Sequence, residues 1–381
     1  HDFAGQSYTA GGDTPHWCGQ ALSLIVRTDA AARNILALDG FSVMEKFFDE
    51  EIDLEGNLYI LPHLRAHLNL NLRLIHLLPR IINVSLFQSV GRARKNVKSH
   101  YDIPHGVLEL YLDRKYYAYS CAMFENPGHK VVEELVRIGK GEEDDFDSLE
   151  KAQWRKFKDA IDYIAPGPND TVLDVGCGYG GQLHVALESH RFKKIVGWTH
   201  SVNQVNHGKI LLAQFDSSRY EINEGDYRED HRVFDHITST GMISHVGPRG
   251  LLPYVKEIKR RIRPGGRYVH HAIMQPYLEK PLNYHIGPLL NKTYVWPGFH
   301  WFTIGEHLRA LESNGFRIVK CVNLGEHYEK TIAAWYERMM ANADTVRKLL
   351  GEPAYFYKRE RRILRSVNTC TTLYFGNGIL T

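Results

Sequence analysis

The residues of this chain most able to do chemistry stand in one short run, Val172-Leu173-Asp174-Val175-Gly176-Cys177-Gly178-Tyr179-Gly180-Gly181. Its apolar start reads as a buried strand, and its glycines read as a turn that lets backbone come close to a ligand. The spacing is GCGYGG rather than the GxGxxG of pyrophosphate-binding turns. Asp174 precedes the first glycine, where a carboxylate repels a pyrophosphate and suits a cationic amino-acid group. Nucleotide-binding proteins of many kinds carry a glycine turn, and some such turns only join a strand to a helix, so the turn alone names no ligand. His245 and His271 add groups that could take a proton near neutral pH. Cys121 has no activating partner visible in the sequence and is not read as a nucleophile.

The elements that must position these residues follow from periodicity. From residue 170 onward, strand and helix patterns alternate. TVLDVGCG, KIVGWTH, FDHITSTGMI, GGRYVHHAI and FRIVKCVNL read as strands, and LPYVKEIKRRI reads as a helix that ends at Pro264-Gly265-Gly266. This alternation predicts an α/β chain with a doubly wound sheet, in which ligands bind beyond the carboxyl ends of the strands. Before it, residues 1–20 read as an irregular arm. SLIVRTDAAARNILAL reads as a strand followed by a helix, and a turn is expected at Glu55-Gly56-Asn57. LNLNLRLIHLLPRIINVSLF is strongly apolar and is broken by Pro79; it reads as a core helix or as a surface that touches lipid. Residues 1–95 are therefore taken as a small N-terminal α+β domain and 96–381 as the catalytic domain, with an acidic loop at 140–147.

Bulk properties narrow the class. The 381 residues suit one catalytic domain plus a smaller one, and 43% hydrophobic against 24% charged residues supports a packed core. A formal net charge of +3 gives no bulk electrostatic argument for nucleic acid, and no NPPY-like motif is present. Cys18, Cys121, Cys177, Cys321 and Cys370 lie far apart without a CxxC pair. Neither a disulfide framework nor a structural zinc is expected, and no metal site is assigned; a reducing cytoplasm fits. No apolar run reaches the roughly 18–20 residues that span a bilayer. No secretory signal is visible, although a chain that begins at His1 leaves an upstream segment open.

An ordered series of motifs surrounds the glycine turn. Ser99-His100-Tyr101-Asp102, Leu112-Asp113 and Tyr119-Ser120-Cys121-Ala122 precede it. Val196-Gly197-Trp198-Thr199 with Gln204, Gly225-Asp226-Tyr227-Arg228, GMISHVGP, VHHAI, YVWPG and HYEKTIAAWYERM follow it. The turn resembles the nucleotide loop of class I S-adenosylmethionine methyltransferases, a Rossmann-like fold. The whole order, over residues 97–375, resembles the cyclopropane-fatty-acid synthase family, which includes mycolic acid cyclopropane synthases and related fatty-acid C-methyltransferases. DEEIDLEGNLYI also resembles the small domain ahead of the catalytic domain in many full-length members.

The resemblance implies S-adenosylmethionine as cofactor and the alkene of an unsaturated phospholipid acyl chain as acceptor, reached from the membrane surface by a cytoplasmic protein at the inner membrane face. A homodimer stays open. It places Tyr101, Tyr119 and Ser120 over the methionine end of the cofactor, Asp174, Gly176 and Gly178 along the loop, Thr199 and Gln204 at the ribose, and Asp226, Tyr227 and Arg228 near the adenine. It also implies a bicarbonate base in a pocket of Cys121, position 244, His271, the Ile273 backbone and Tyr328. The family holds a Glu where this chain has Ser244. Two outcomes are therefore expected: bicarbonate held with a hydrogen bond from Ser244, or a different base and a methyl- or methylene-branched product. Met242, Trp296, Phe299, Trp301 and Phe302 are read mostly as core, beside a segment, Tyr294–Phe302, that borders the family's acyl channel. Arg92–Lys98 and the basic YKRERRILR at 357–365 read as solvated faces or as contacts to anionic lipid. A methyltransferase of a soluble small molecule is the competing reading, which the missing Glu slightly favours. A catalytically silent binding protein is the third.

Overall fold

The computed structural model describes residues 22–56, 105–125, 148–274 and 299–350. The N-terminal arm, the apolar run 68–87, the basic stretches, the acidic loop, Tyr101, Trp296 and the 95/96 boundary lie outside the described residues. The rest falls into two compact units, the first holding 22–56 and the second holding 105–125, 148–274 and 299–349.

In the first unit, strand β1 (Leu22–Val26) pairs antiparallel with β2 (Ile52–Gly56), Leu22 opposite Gly56 and Val26 opposite Ile52. Helices α1 (Asp29–Leu36) and α2 (Gly40–Phe48) lie between them in sequence. Thr28 and Asp39 cap them by accepting from the backbone N–H of Ala31 and Ser42. Ala31, Phe41, Phe47 and Ile52 form the small core. The turn expected at Glu55-Gly56 is corrected: both residues continue β2, because the ladder to β1 carries their backbone groups.

The second unit is built on a sheet whose strands are all parallel. In chain order they are β3 (Thr171–Val175), β4 (Lys194–Thr199), β5 (Tyr220–Glu224), β6 (His236–Thr240) and β7 (Tyr268–His271). In space they run β5-β4-β3-β6-β7. Helices α3 (His105–Glu109), α4 (Leu149–Ile164), α5 (Gly181–Ser189), α6 (Val202–Leu212) and α7 (Leu251–Arg261) belong to this unit, as do α8 (Ile304–Glu312), α9 (Gly325–Ala341) and α10 (Ala343–Leu350) at its C-terminal side. Side chains alternate across each strand, and β3, β4 and β6 are buried on both faces. Val172, Ile195 and Ile222 pack with Ile161, Leu183 and Leu212 from α4, α5 and α6. Leu173, Val175, Val196 and Ile237 pack with Val255, Ile258 and Ala310 from α7 and α8. This is the doubly wound α/β architecture that the alternation predicts.

One strand assignment is corrected. FRIVKCVNL forms no strand: its residues run without a ladder partner among the described residues, and Val319 and Val322 stay exposed, at 84% and 44%. The remaining strand is instead β5, YEINE, where Ile222 alone is buried. No helix among the described residues is long and apolar enough to cross a membrane.

The segment 110–124 threads between α4 and α9 and is pinned at several points. Asp113 is fully buried and accepts from the backbone N–H of Tyr116 (2.6 Å) and Ala118 (2.7 Å). Arg338 on α9 donates to Glu150 on α4 at 2.8 and 3.0 Å and to the Leu112 carbonyl at 3.1 Å. Burial opposes the Glu150 charge, yet the hydrogen bonds and charge of Arg338, with the Arg114 N–H, hold its carboxyl down at about 2, against an ordinary 4.5. A carboxyl whose folded value is depressed stabilises the fold above pH 4.5 and loses that contribution as pH falls toward 2. Glu150→Gln is therefore expected to lower stability by about 2 kcal/mol at neutral pH. In urea melts across pH, the gap to the unaltered protein should close near the acid end; a gap independent of pH contradicts the pairing.

Candidate active site

The glycine turn sits where a doubly wound sheet places ligands. Strand order reverses between β3 and β6, and the crevice beyond their carboxyl ends is the expected binding place. Asp174, near the end of β3, is buried and accepts from the Thr238 hydroxyl on β6 at 2.8 Å, across that reversal. Burial pushes its carboxyl up to about 7. Gly176 and Gly178 follow with φ of +80° and +54°, a region that favours glycine. A Cβ on Gly176 would lie 2.9 Å from Met242, whereas a Cβ on Gly178 would meet nothing within 4 Å, so the turn is bare to a ligand there.

The neighbouring strands bring further candidates to the same end of the sheet. Thr199 ends β4, and its buried hydroxyl donates to the Gln204 side chain on the first turn of α6. Asp226 follows β5, caps a short turn through Arg228 N–H at 3.0 Å, and is paired with the Arg228 guanidinium. Burial works to raise the Asp226 carboxyl, and the Arg228 bonds and charge outweigh it, leaving it below the ordinary value. Tyr227 between them is partly buried, and burial raises its phenol.

The residues implied for a bicarbonate pocket come from the 110–124 segment, the ends of β6 and β7, and α9. Cys121 is buried; its thiol is pushed up to about 12 by burial and faces the carbonyls of Ala122 (3.3 Å) and Leu324 (3.7 Å). Held neutral by burial, it is not an activated nucleophile. Ser244 is fully buried just after β6, and its hydroxyl has no hydrogen-bond partner among the described residues. His271 ends β7, and both its ring nitrogens are buried without a partner among the described residues. Ile273 follows in the extended stretch leaving β7. Tyr328 on α9 is buried edge-on to Trp335, at 6.3 Å between centroids. Trp335 in turn stacks on Tyr119 at 5.1 Å, with the planes 15° apart.

Two histidine expectations are corrected. Burial drives His245 down to about 4 and His271 to about 3, with the charge of Lys156 adding to the second shift, so neither takes up a proton near neutral pH. His270 is bound into a buried chain with Tyr268 (2.8 Å) and His307 (3.1 Å).

A family model described as mycolic acid cyclopropane synthetase matches residues 88–370. The chain belongs to that family. It is 31% identical over 264 residues to the cyclopropane-fatty-acyl-phospholipid synthase of Escherichia coli, covering 69% of this chain and 61% of that protein's length. It is 28% identical over 290 residues to cyclopropane mycolic acid synthase 3 of Mycobacterium tuberculosis, covering 73% of this chain and 92% of that one. A solved structure of a mycolic acid cyclopropane synthase complexed with SAH and CTAB superposes with a TM-score of 0.64 at 25% identity, covering 75% of this chain and 95% of the other. The second unit thus has the class I methyltransferase fold common to this family.

The structure places Asp174, Gly176, Gly178, Thr199, Gln204, Asp226, Tyr227 and Arg228 at the carboxyl ends of β3–β5, with Ser244 and His271 at the ends of β6 and β7. Tyr119, Ser120, Cys121 and Tyr328 approach from the 110–124 segment and α9. Three residues escaped the sequence reading: Gln153, Lys156 and Trp335, all buried. The signal for the first two was present, since α4 buries positions 149, 152, 153, 156, 157, 160, 161 and 164, an apolar stripe at helical spacing with a Gln and a Lys in it.

The turn's geometry predicts unequal glycine costs. Gly178→Ala meets only backbone strain, about 1 kcal/mol, while Gly176→Ala adds a clash with Met242 and should cost about 2–4 kcal/mol. Urea unfolding of the two variants checks the order; equal losses would show that the turn is not packed on Met242.

Proposed function

We propose that the chain transfers the methyl carbon of S-adenosylmethionine to the double bond of an unsaturated phospholipid acyl chain, giving a cyclopropane or a methyl- or methylene-branched product. The observation that carries this is the cradle at the strand reversal: a bare Gly178 turn and a buried Asp174, with Thr199–Gln204 and Asp226–Arg228 on the adjoining strand ends. The family match and the lipid-modifying relatives support the acceptor class.

The residues present fit the cofactor. Tyr119 and Ser120 would close over its methionine end with Tyr101, Gly176 and Gly178 would lie beside it, Thr199 and Gln204 would meet the ribose, and Asp226, Tyr227 and Arg228 would border the adenine. When bound, S-adenosylmethionine supplies an electrophilic methyl carbon on a sulfonium centre. The protein's part is to hold an electron-rich acceptor in line and to exclude water.

Removal of a proton decides the product. Cys121, Ser244, His271 and Tyr328 would form the pocket for the base; Ser244 and His271 carry polar atoms without partners among the described residues, which suits a small oxyanion such as bicarbonate. A bicarbonate held there would supply the base. His271, neutral and strongly depressed, is suited to donating or accepting a hydrogen bond rather than to storing the proton. Ser244 can donate one hydrogen bond but carries no charge, so it orients an anion less firmly than a carboxylate network would.

Purified protein incubated with methyl-labelled S-adenosylmethionine and liposomes of monounsaturated phospholipid should yield labelled fatty acids. Mass spectrometry and NMR read the product, and Ser244→Glu should raise the cyclopropane share. Label confined to a soluble acceptor, or none with any of several unsaturated lipids while the cofactor binds, would overturn the lipid reading.

A further inference from the structure

The buried stripe of α4 carries two side chains that packing alone does not require. Gln153 and Lys156 lie among Ala152, Phe157, Ala160 and Ile161, at 0% and 4% exposure. Lys156 Nζ donates to Ser120 Oγ at 2.7 Å and to Gln153 Oε1 at 2.5 Å. Gln153 Nε2 donates to the carbonyls of Ser120 at 2.8 Å and Ala118 at 3.3 Å. The pair therefore grips one short segment, its backbone through Gln153 and its hydroxyl through Lys156. That segment carries Tyr119, stacked on Trp335, and leads directly into Cys121.

An ammonium out of water is a costly strut. Its desolvation amounts to several kcal/mol, and the oxygens Lys156 touches are neutral. Its nearest aromatic neighbour, the Phe157 ring at 4.0 Å, recovers part of that cost. An apolar side chain of similar volume would fill the space without the cost. Burial pulls Lys156 down to about 7, so its ammonium is fully present only below neutral pH; in that form it is a strong donor to Ser120 and a positive charge felt by Asp113, Cys121 and Asp174.

We propose that Lys156 is a positioning residue of the site: its ammonium sets the Ser120 hydroxyl, and with it the Tyr119–Cys121 segment, for the amino-acid end of the cofactor. The proposal rests on the S-adenosylmethionine reading above. Lys156 acts through Ser120, and Gln153 holds the backbone on which that hydroxyl stands.

The test is a double-mutant cycle read by calorimetric binding of SAH, with thermal melts alongside. Lys156→Met should melt no lower than a few degrees below the unaltered protein, because a buried charge is removed, yet should bind SAH about tenfold more weakly or worse. Ser120→Ala should also weaken binding, and the double variant should lose no more than the larger single loss. In turnover, the loss should fall on KM for S-adenosylmethionine, with kcat within about threefold. If Lys156→Met does not fold, Lys156→Gln, which keeps a shorter neutral donor, goes through the same cycle with a smaller expected loss. A lysine variant that binds SAH like the unaltered protein overturns the proposal, as do single losses that simply add. An unaltered protein that fails to bind SAH removes the cofactor reading itself, and the proposal with it.

Discussion

Where β3 and β6 part, the sheet changes the direction in which it adds strands, and Asp174 stands on that line with its carboxylate bonded to Thr238. The rest of the site depends on this reversal. Helices that follow β3 and β6 leave on opposite faces of the sheet, so a crevice opens between them that no side-chain choice has to create. The glycine turn then exposes backbone into it. Burial makes Asp174 reluctant to ionise, lifting it to about 7, and a cation arriving in the crevice would reverse that tendency.

A second constraint is the segment 110–124, which has little regular structure of its own to hold it. It is held instead by charge and hydrogen bonding: Asp113 gathers its backbone N–H groups, Arg338 with Glu150 anchors its start, and Gln153 with Lys156 anchors its end. Burying so many polar groups is tolerable only when they satisfy one another. Among the described residues, the Ser244 hydroxyl, both His271 ring nitrogens and the Trp335 indole N–H are buried without partners, as are atoms of Gln182, Asn223, Arg261 and His307.

Much of this was legible in the sequence. β3, β4 and β6 announce themselves because both their faces are buried, and the Asp174 turn because glycine marks positive φ. YEINE escaped because a single buried residue, Ile222, gives no pattern to read, and FRIVKCVNL misled because apolar residues alternated where no partner strand stood. The candidate residues at the strand ends were picked out through an ordered series of motifs. Lys156 and Trp335 were not, because their meaning lies in what they face: a lysine within an apolar stripe becomes informative only once Ser120 is brought to it from 36 residues away. The neutrality of His245 and His271 was equally hidden, since burial rather than residue type decides it.

A crystal structure of the protein grown with SAH tests most directly whether the crevice at the strand reversal holds the cofactor. The ligand is expected along the Gly176–Gly178 turn, its amino-acid end under Tyr119 and Ser120, and its adenine beside Asp226–Arg228. Well-ordered SAH bound elsewhere, or an empty crevice at saturating ligand, would contradict that placement.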